Sequence, residues 1–370
     1  MMPPNSKLAQ VPTLELLSRL VHPSVFTLIG LSLKDTVPTS VDSDGVRSDT
    51  YRTEKGHILL RNDDVRILVE GWLGDKPILR CALRDRQLDA TSQSSPLTFF
   101  PNTDPACNRL PGTDFLAAEL SIYSWDPATY LDGLDVEGSV GHFISDPDFY
   151  AWRDYDRDTY LSLWSQAFFL GRAPWQMARP MSVVPLFFVR QSIKLLKEIG
   201  YHRVDAVPSW YNVARFFKAL NFEFTYGEHE LAFEGIREGL TAFIARKSND
   251  GKDGKKVRPL SRSQEAWLVA LQNIPVEHIP DELRLPARWP VTHTNQYWVR
   301  MHLTLNEYTA PQSKVAERML KKIAAMRDPS HCHDRIMVPN SGYCPCTDQL
   351  GASSPAATSP AATGDHEVRE

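Results

Sequence analysis

Cysteine is scarce and unevenly placed. The 370 residues hold five, with Cys81 and Cys107 far apart and Cys332, Cys344 and Cys346 clustered near the end. An odd count in that arrangement excludes a secreted disulfide framework. It points to a reducing, intracellular compartment, cytoplasmic with the nucleus as the alternative. Long apolar runs are also missing. The segments 25–33 (VFTLIGLSL) and 185–189 (PLFFV) are the longest, and both fall short of the roughly eighteen residues a membrane helix needs. No charged opening followed by a long apolar stretch is present, so no secretory signal and no membrane partner are read. Neither sign of charge dominates. A net charge of −4 and a pI near 6.3 give no global attraction to nucleic acid or to anionic lipid. G-x-S-x-G, the P-loop pattern and G-x-G-x-x-G are all absent, which removes the usual signatures of serine hydrolases, P-loop nucleotide binding and dinucleotide binding.

What is present can fold. Hydrophobic residues make up 42% of the chain, and nine Trp, twelve Tyr and sixteen Phe are too many for a largely disordered protein. Residues 1–56 read as an N-terminal segment with a helix over 14–21 and a strand over 25–33. Alternating runs at 57–74 and 76–85 read as a hairpin turning at Asn62-Asp63 and a further strand. Residues 89–112 read as a long polar loop, and 113–125 as a helix capped by Thr113 or Asp114. The segment 246–262 is a basic linker, the best boundary in the chain. A helical region at 263–330 follows, with Ser263 as cap of its first helix, and then a Cys/His segment and a Pro/Ala/Ser tail at 331–370. The expected class is α+β. A mixed central sheet with flanking helices occupies 57–245, followed by the small helical C-terminal region.

The stretch from Pro185 to Phe233 is the most informative. Leu186, Val189, Ile193, Leu196 and Ile199 recur at helical spacing, Pro185 suits a first turn, and Gly200 marks the stop. A short strand follows at Val204–Val207. Ser209 is then placed to cap a second helix with Val213, Phe216, Phe217 and Leu220 as its buried stripe. The runs 222–226 and 230–235, joined by Gly227-Glu228, read as a hairpin. In helix length, in the Gly200-Tyr201 ending and in Leu220-Asn221-Phe222, residues 165–235 resemble the second half of the GNAT superfamily of acyl-CoA-dependent N-acyltransferases. The resemblance implies a strand near Ala167–Leu170 that splays from the Val204–Val207 strand to open a groove for acetyl-CoA or another acyl-CoA. It also implies a Gly-rich loop that cradles the pyrophosphate where this chain has PMSVVP, residues 180–185. Val183 and Pro185 occupy the glycine positions, so Arg172 and Arg179 are the cations left for a phosphate. The family's frequent general-acid Tyr falls on Phe217. The expectation is therefore a GNAT-like fold with a degenerate or absent acyl-CoA site that acts as a binding or structural protein. An active N-acyltransferase is the first alternative and a nucleic-acid-associated or assembly protein the second. Met181 or Trp175 is expected to fill the groove of a dead site.

Two further groups could bind something. Cys332, Cys344, Cys346 and His333, with His331 adjacent, are suitable zinc ligands by chemistry, although their spacing departs from the usual knuckle. Lys252, Lys255, Lys256 and Arg258 form a patch for nucleic acid or an acidic protein partner. No cofactor is called for outright; acetyl-CoA and zinc are the two alternatives. The D-x-D-x-D run at Asp154, Asp156 and Asp158 reads as a solvated surface, because residues two apart on a helix do not share a face.

Overall fold

A computed structural model of the chain describes residues 6–43, 46–62, 65–85, 116–145, 155–181, 183–250, 259–290 and 299–306. All of them belong to one compact unit, residues 1–319. Its centre is a nine-stranded sheet in the order β1-β2-β3-β4-β5-β6-β7-β9-β8. Five strands form an antiparallel meander: β1 (Thr39–Ser43), β2 (Val46–Arg52), β3 (Gly56–Asn62), β4 (Arg66–Leu73) and β5 (Lys76–Asp85). β6 (Ala117–Ser124) continues it antiparallel to β5. β7 (Arg203–Ala206) lies parallel to β6, and β9 (Met301–Thr304) pairs antiparallel with both β7 and the two-residue β8 (Glu223–Phe224). The α+β class and the mixed central sheet are as the sequence indicates.

Two-residue alternation divides the sheet into two unlike faces. Tyr51, Ile58, Leu60, Ile67, Val69, Leu79, Cys81, Leu83, Ala118, Leu120, Val204, Ala206, Met301 and Leu303 share one face in register, and all are buried. Helices α1 (Thr13–Leu20), α2 (Pro23–Ile29) and a longer one described below cover it. Gly71 lies under α2, where an added Cβ would sit 3.3 Å from Leu79 and 3.7 Å from Val25 of that helix. Of the segment 25–33, expected as a strand, residues 25–29 are the body of α2 and Gly30 is its C-cap. Its Phe and β-branched content suggested sheet, but Pro23 at the start and Gly30 at φ +69° after the end made the helix.

Between β6 and β7 the chain forms α3 (Val140–Ser145), α4 (Arg157–Leu170) and α5 (Val184–Glu198). A parallel pair requires such a crossover. α5 buries Leu186, Val189, Ile193 and Leu196 as expected, and Gly200 at φ +84° ends it. Asp156 caps α4, accepting from the N–H groups of Asp158 and Thr159, so the D-x-D-x-D run contributes a helix start. Two expectations are corrected here. The strand beside β7 is not near Ala167–Leu170, which closes α4. It is β6, residues 117–124, which the sequence suggested was a helix because Ala, Glu and Leu favour one and the apolar spacing allowed it. Burial between β5 and β7 overrides that local preference.

After β7, α6 (Tyr211–Lys218) buries Tyr211, Ala214 and Phe217, with Leu220 buried just beyond it; Phe217 and Leu220 are inward as expected, while Val213 and Phe216 are half-buried. Trp210 is its N-cap, without a side-chain capping bond to the helix, and Ser209 instead offers its carbonyl to the Trp289 indole at 3.2 Å. Asn221 takes the left-handed conformation at φ +67°, as a helix end requires. The hairpin expected at 222–235 is absent. Only Glu223–Phe224 is strand, and α7 (Gly227–Asp250) begins at once. His229, Phe233, Ile236, Leu240 and Phe243 form its buried stripe. β8 finds its antiparallel partner in β9, on the far side of a segment that holds α7 and α8 (Arg262–Leu271). α8 starts with a capping box of Ser261 and Gln264, two residues earlier than the expected Ser263, and packs on α4 and α6.

The returning chain crosses α7 over two glycines. A Cβ on Gly239 would lie 2.6 Å from the Pro286 ring, and one on Gly235 3.1 Å from Ala287. Gly239→Val should therefore lower stability by about 1–3 kcal/mol through overpacking, read as a drop in the urea midpoint. His229 offers a second test. Its ring is buried, and desolvation holds its pKa below the ordinary value, with Arg300 adding to that and Glu228 opposing it. The unfolded chain binds the proton more tightly than the folded chain does. The stability His229 contributes is thus complete above its unfolded pKa of about 6.5 and is lost as pH falls below it. His229→Gln should flatten the fall in melting temperature between pH 7 and pH 5 relative to wild type.

Candidate functional site

The register sets six polar residues in one row across the second face of the sheet. Arg66 on β4 faces Arg84 on β5, which faces Glu119 on β6, then Asp205 on β7, His302 on β9 and Glu223 on β8. Glu119 and Asp205 are therefore neighbours on the two parallel strands. Each has its own cation. Arg84 donates from Nη2 to Glu119 Oε2 at 2.8 Å, and Arg203 grips Asp205 with Nε at 2.8 Å and Nη2 at 3.1 Å. Asp205 and Arg66 are buried, while the Arg84 and Glu119 side chains keep only 11% and 14% of their surface exposed. His302 shares a 3.2 Å hydrogen bond through Nδ1 with the Thr225 hydroxyl. Along the same face Arg80 pairs with Glu70 at 3.2 Å. Chemically, the row sets two carboxylates side by side, each against a guanidinium. A carboxylate clamped by guanidinium is a poor base, however, so the row suits a structural or electrostatic role better than proton abstraction. Sequence reasoning missed these residues, because a row exists only once the register is known.

The expected phosphate end lies where β6 and β7 part. Their pairing stops at Leu120 and Ala206, and the rest of β6, Ser121–Ser124, pairs with β5 alone. Arg172 and Arg179, the two cations named from sequence, are brought together there on the turn at Pro127–Thr129. Arg172 Nη2 donates to the Thr129 carbonyl at 2.8 Å, and the Arg179 N–H donates to Thr129 Oγ1 at 2.9 Å. Arg179 is exposed and Arg172 buried. Burial, and then the charge of Arg179, draw the Arg172 pKa downward against the pull of Asp126. The Arg172 carbonyl is also engaged, accepting from the Trp267 indole at 2.6 Å. Trp164 in turn donates to the Trp267 carbonyl at 2.9 Å.

The start of α5 offers little to an anion. Val183 is the N-cap and supplies no side-chain bond, and Val184 donates its N–H to the Met181 carbonyl at 3.0 Å. Pro185 has no N–H, and Phe187 bonds back to Val183 at 3.0 Å. Trp175 stands nearby in the left-handed conformation, φ +63°, a posture that costs a bulky residue about 1–2 kcal/mol. Its ring meets Trp210 edge-on at 5.1 Å. Phe217 is buried, with its ring 5.0 Å from Phe222.

A third polar group lies at the opposite end of the sheet. The Tyr201 hydroxyl donates to Asp85 Oδ2 at 2.5 Å and the Ser6 hydroxyl donates to the same atom at 3.2 Å, with all three residues buried. Burial and the adjoining carboxylate hold the Tyr201 phenol protonated far above its usual range. The group ties the N-terminal segment to the end of β5. Among the described residues no cluster of His, Cys, Asp and Glu is arranged to hold a metal ion, and no helix is long and apolar enough to cross a membrane. The suggested zinc ligands Cys332, His333, Cys344 and Cys346, and the basic patch Lys252, Lys255, Lys256 and Arg258, lie outside the described residues. No protein-family model, curated protein or solved structure matches the chain.

The pairing of Arg84 with Glu119 sets the expected cost of breaking the row. Glu119→Gln removes a counter-charge 2.8 Å from a largely buried guanidinium and should cost about 3 kcal/mol. A double-mutant cycle with Arg84→Met, read by urea denaturation, should return a coupling well above that of an exposed pair.

Proposed function

We propose that the chain is a GNAT-like scaffold whose acyl-CoA site is degenerate, and that it works by binding a partner and not by acyl transfer. The connectivity supports the scaffold. A strand, a long helix ending in Gly200, a parallel strand, a second helix and a closing antiparallel pair follow in the order the family uses, with α7 and α8 inserted into the closing pair. The strands part where that family opens its groove.

The observation that carries the degenerate reading is the start of α5. A pyrophosphate is held there by free backbone N–H groups at a helix N-terminus. In this chain one such N–H is spent on Met181, the next residue is a proline, and Val183 stands where backbone must approach the ligand. Trp175 against Trp210, the buried Phe217 and the engaged Arg172 point the same way. An active N-acyltransferase is the second reading, favoured by the adjacent carboxylates of Glu119 and Asp205; the arginine held on each weakens them as general bases.

Titration of the full chain with acetyl-CoA and with CoA, followed by thermal melting, tests the proposal. A ligand at a hundred times its dissociation constant stabilises the fold by about 2.7 kcal/mol. The expected outcome is an unchanged melting temperature at saturating ligand. A dose-dependent rise would overturn the degenerate reading and favour the enzyme.

A further inference from the structure

The second face of the sheet changes character away from the charged row. Over β2–β4 it carries Arg52, His57 and Arg61 beside Trp72, and over β5 and β6 it carries Arg80 and Tyr123, with Trp125 next in line. Glu70 is the one carboxylate on these strands there, and Arg80 already holds it at 3.2 Å. In the turns beyond the strand ends, Lys55 and Lys76 offset Glu54 and Asp75. Arg52 is exposed and Arg61 half-buried, and among the described residues neither has a hydrogen-bond or ion-pair partner. Burial draws the Arg80 pKa downward against Glu70 and Tyr123, and the charge of Arg61 adds to the fall. An anion set between those two guanidinium groups would relieve their repulsion.

Aromatic rings interleave these cations. His57 stacks on Trp72 with centroids 6.0 Å apart and planes 5° from parallel, and Tyr123 stacks on Trp125 at 6.0 Å and 10°. Tyr123 is 36% exposed. Trp72 pairs with Pro77 of β5, and Trp125 donates its N–H to Ile78 beside it, so the two ring pairs stand level on either side of β5, roughly 10 Å apart. Clustered guanidinium groups attract any polyanion. Rings among them favour one with flat faces to stack, which a duplex keeps inside and a single strand presents. We propose that this face binds single-stranded nucleic acid, with bases stacked on Trp72, Tyr123 and Trp125 and phosphates on Arg52 and Arg61. This gives a partner to the binding role proposed above, on which it rests.

Fluorescence anisotropy of a short labelled oligo(dT), and of a duplex of the same length, titrated with the full chain over a series of salt concentrations, reads the interaction. The single strand should bind more tightly than the duplex, and less tightly as salt rises. Tyr123→Ala should raise the dissociation constant about ten-fold or more, while Tyr123→Phe, which keeps the ring, should not. Arg52→Gln and Arg61→Gln should each flatten the log–log salt dependence by about 0.7. These side chains are at least partly exposed, so the variants should melt close to wild type. Lys255→Ala with Lys256→Ala, in the basic linker, should leave the affinity unchanged. Absence of binding at low salt would sink the proposal. So would a Tyr123→Ala variant that binds like wild type, or loss of binding in the linker variant. Poly-glutamate competing as well as the single strand would also overturn it, and would mark an acidic protein surface as the partner. A melting temperature raised by CoA counts against the degenerate acyl-CoA site and leaves these outcomes untouched, so the two readings fail separately.

Discussion

The structure turns on one parallel pairing, four residues long, between β6 and β7. Every other strand contact in the sheet is antiparallel. An antiparallel neighbour can be reached by a tight turn, but a parallel one requires the chain to travel back across the sheet. That journey is what places α3, α4 and α5 between the two strands. The pairing is also short. It ends at Leu120 and Ala206, so the chain leaving β7 is free to diverge into α6, and the gap that opens must be filled. Trp175, Trp210 and the bonded turn of Arg172, Thr129 and Arg179 stand in that region.

The two faces of the sheet solve different problems. The apolar face supplies burial, and α1, α2 and α5 lie on it. The second face carries the row from Arg66 to Glu223, in which cations occupy β4 and β5 and carboxylates occupy β6 and β7. Ion pairs of this kind add little net stability once desolvation is counted, yet removing one member is costly. Their value is in register. A slip of one residue between β5 and β6 would send Arg84 and Glu119 to opposite faces and strand both charges. The row therefore favours one alignment of strands drawn from residues 66 to 302, which hydrophobic burial alone would not distinguish so sharply.

This also explains what could be read from the sequence. β3, β4 and β5 were legible because two-residue alternation is a local signal, and α5 because five apolar residues share one helical face. The long α7 was legible in principle, since Phe233, Ile236, Leu240 and Phe243 keep a helical period; Gly227 drew attention as a turn instead. β6 was not legible. Its Ala117, Ala118, Glu119 and Leu120 are good helix formers, and only burial against strands distant in sequence makes it extended. The charged row was invisible for the same reason, as its members come from six separate strands. Of the residues named in advance for a phosphate, Arg172 and Arg179 do meet, but their meeting place is a chain turn whose carbonyl and hydroxyl they serve.

Arg172 is held at two points: its guanidinium holds Thr129 and its carbonyl accepts the Trp267 indole. The indoles of Trp164 and Trp267 link α4 to α8 and α8 to the turn at Arg172, so α8 is anchored through that turn. Losing the guanidinium bond would leave the Thr129 carbonyl unserved, and an unsatisfied buried group costs about 1–3 kcal/mol. A folded domain has only about 5–15 kcal/mol in hand. The segment between β8 and β9 thus draws support for α8 from the turn at Arg172, through the Trp267 indole.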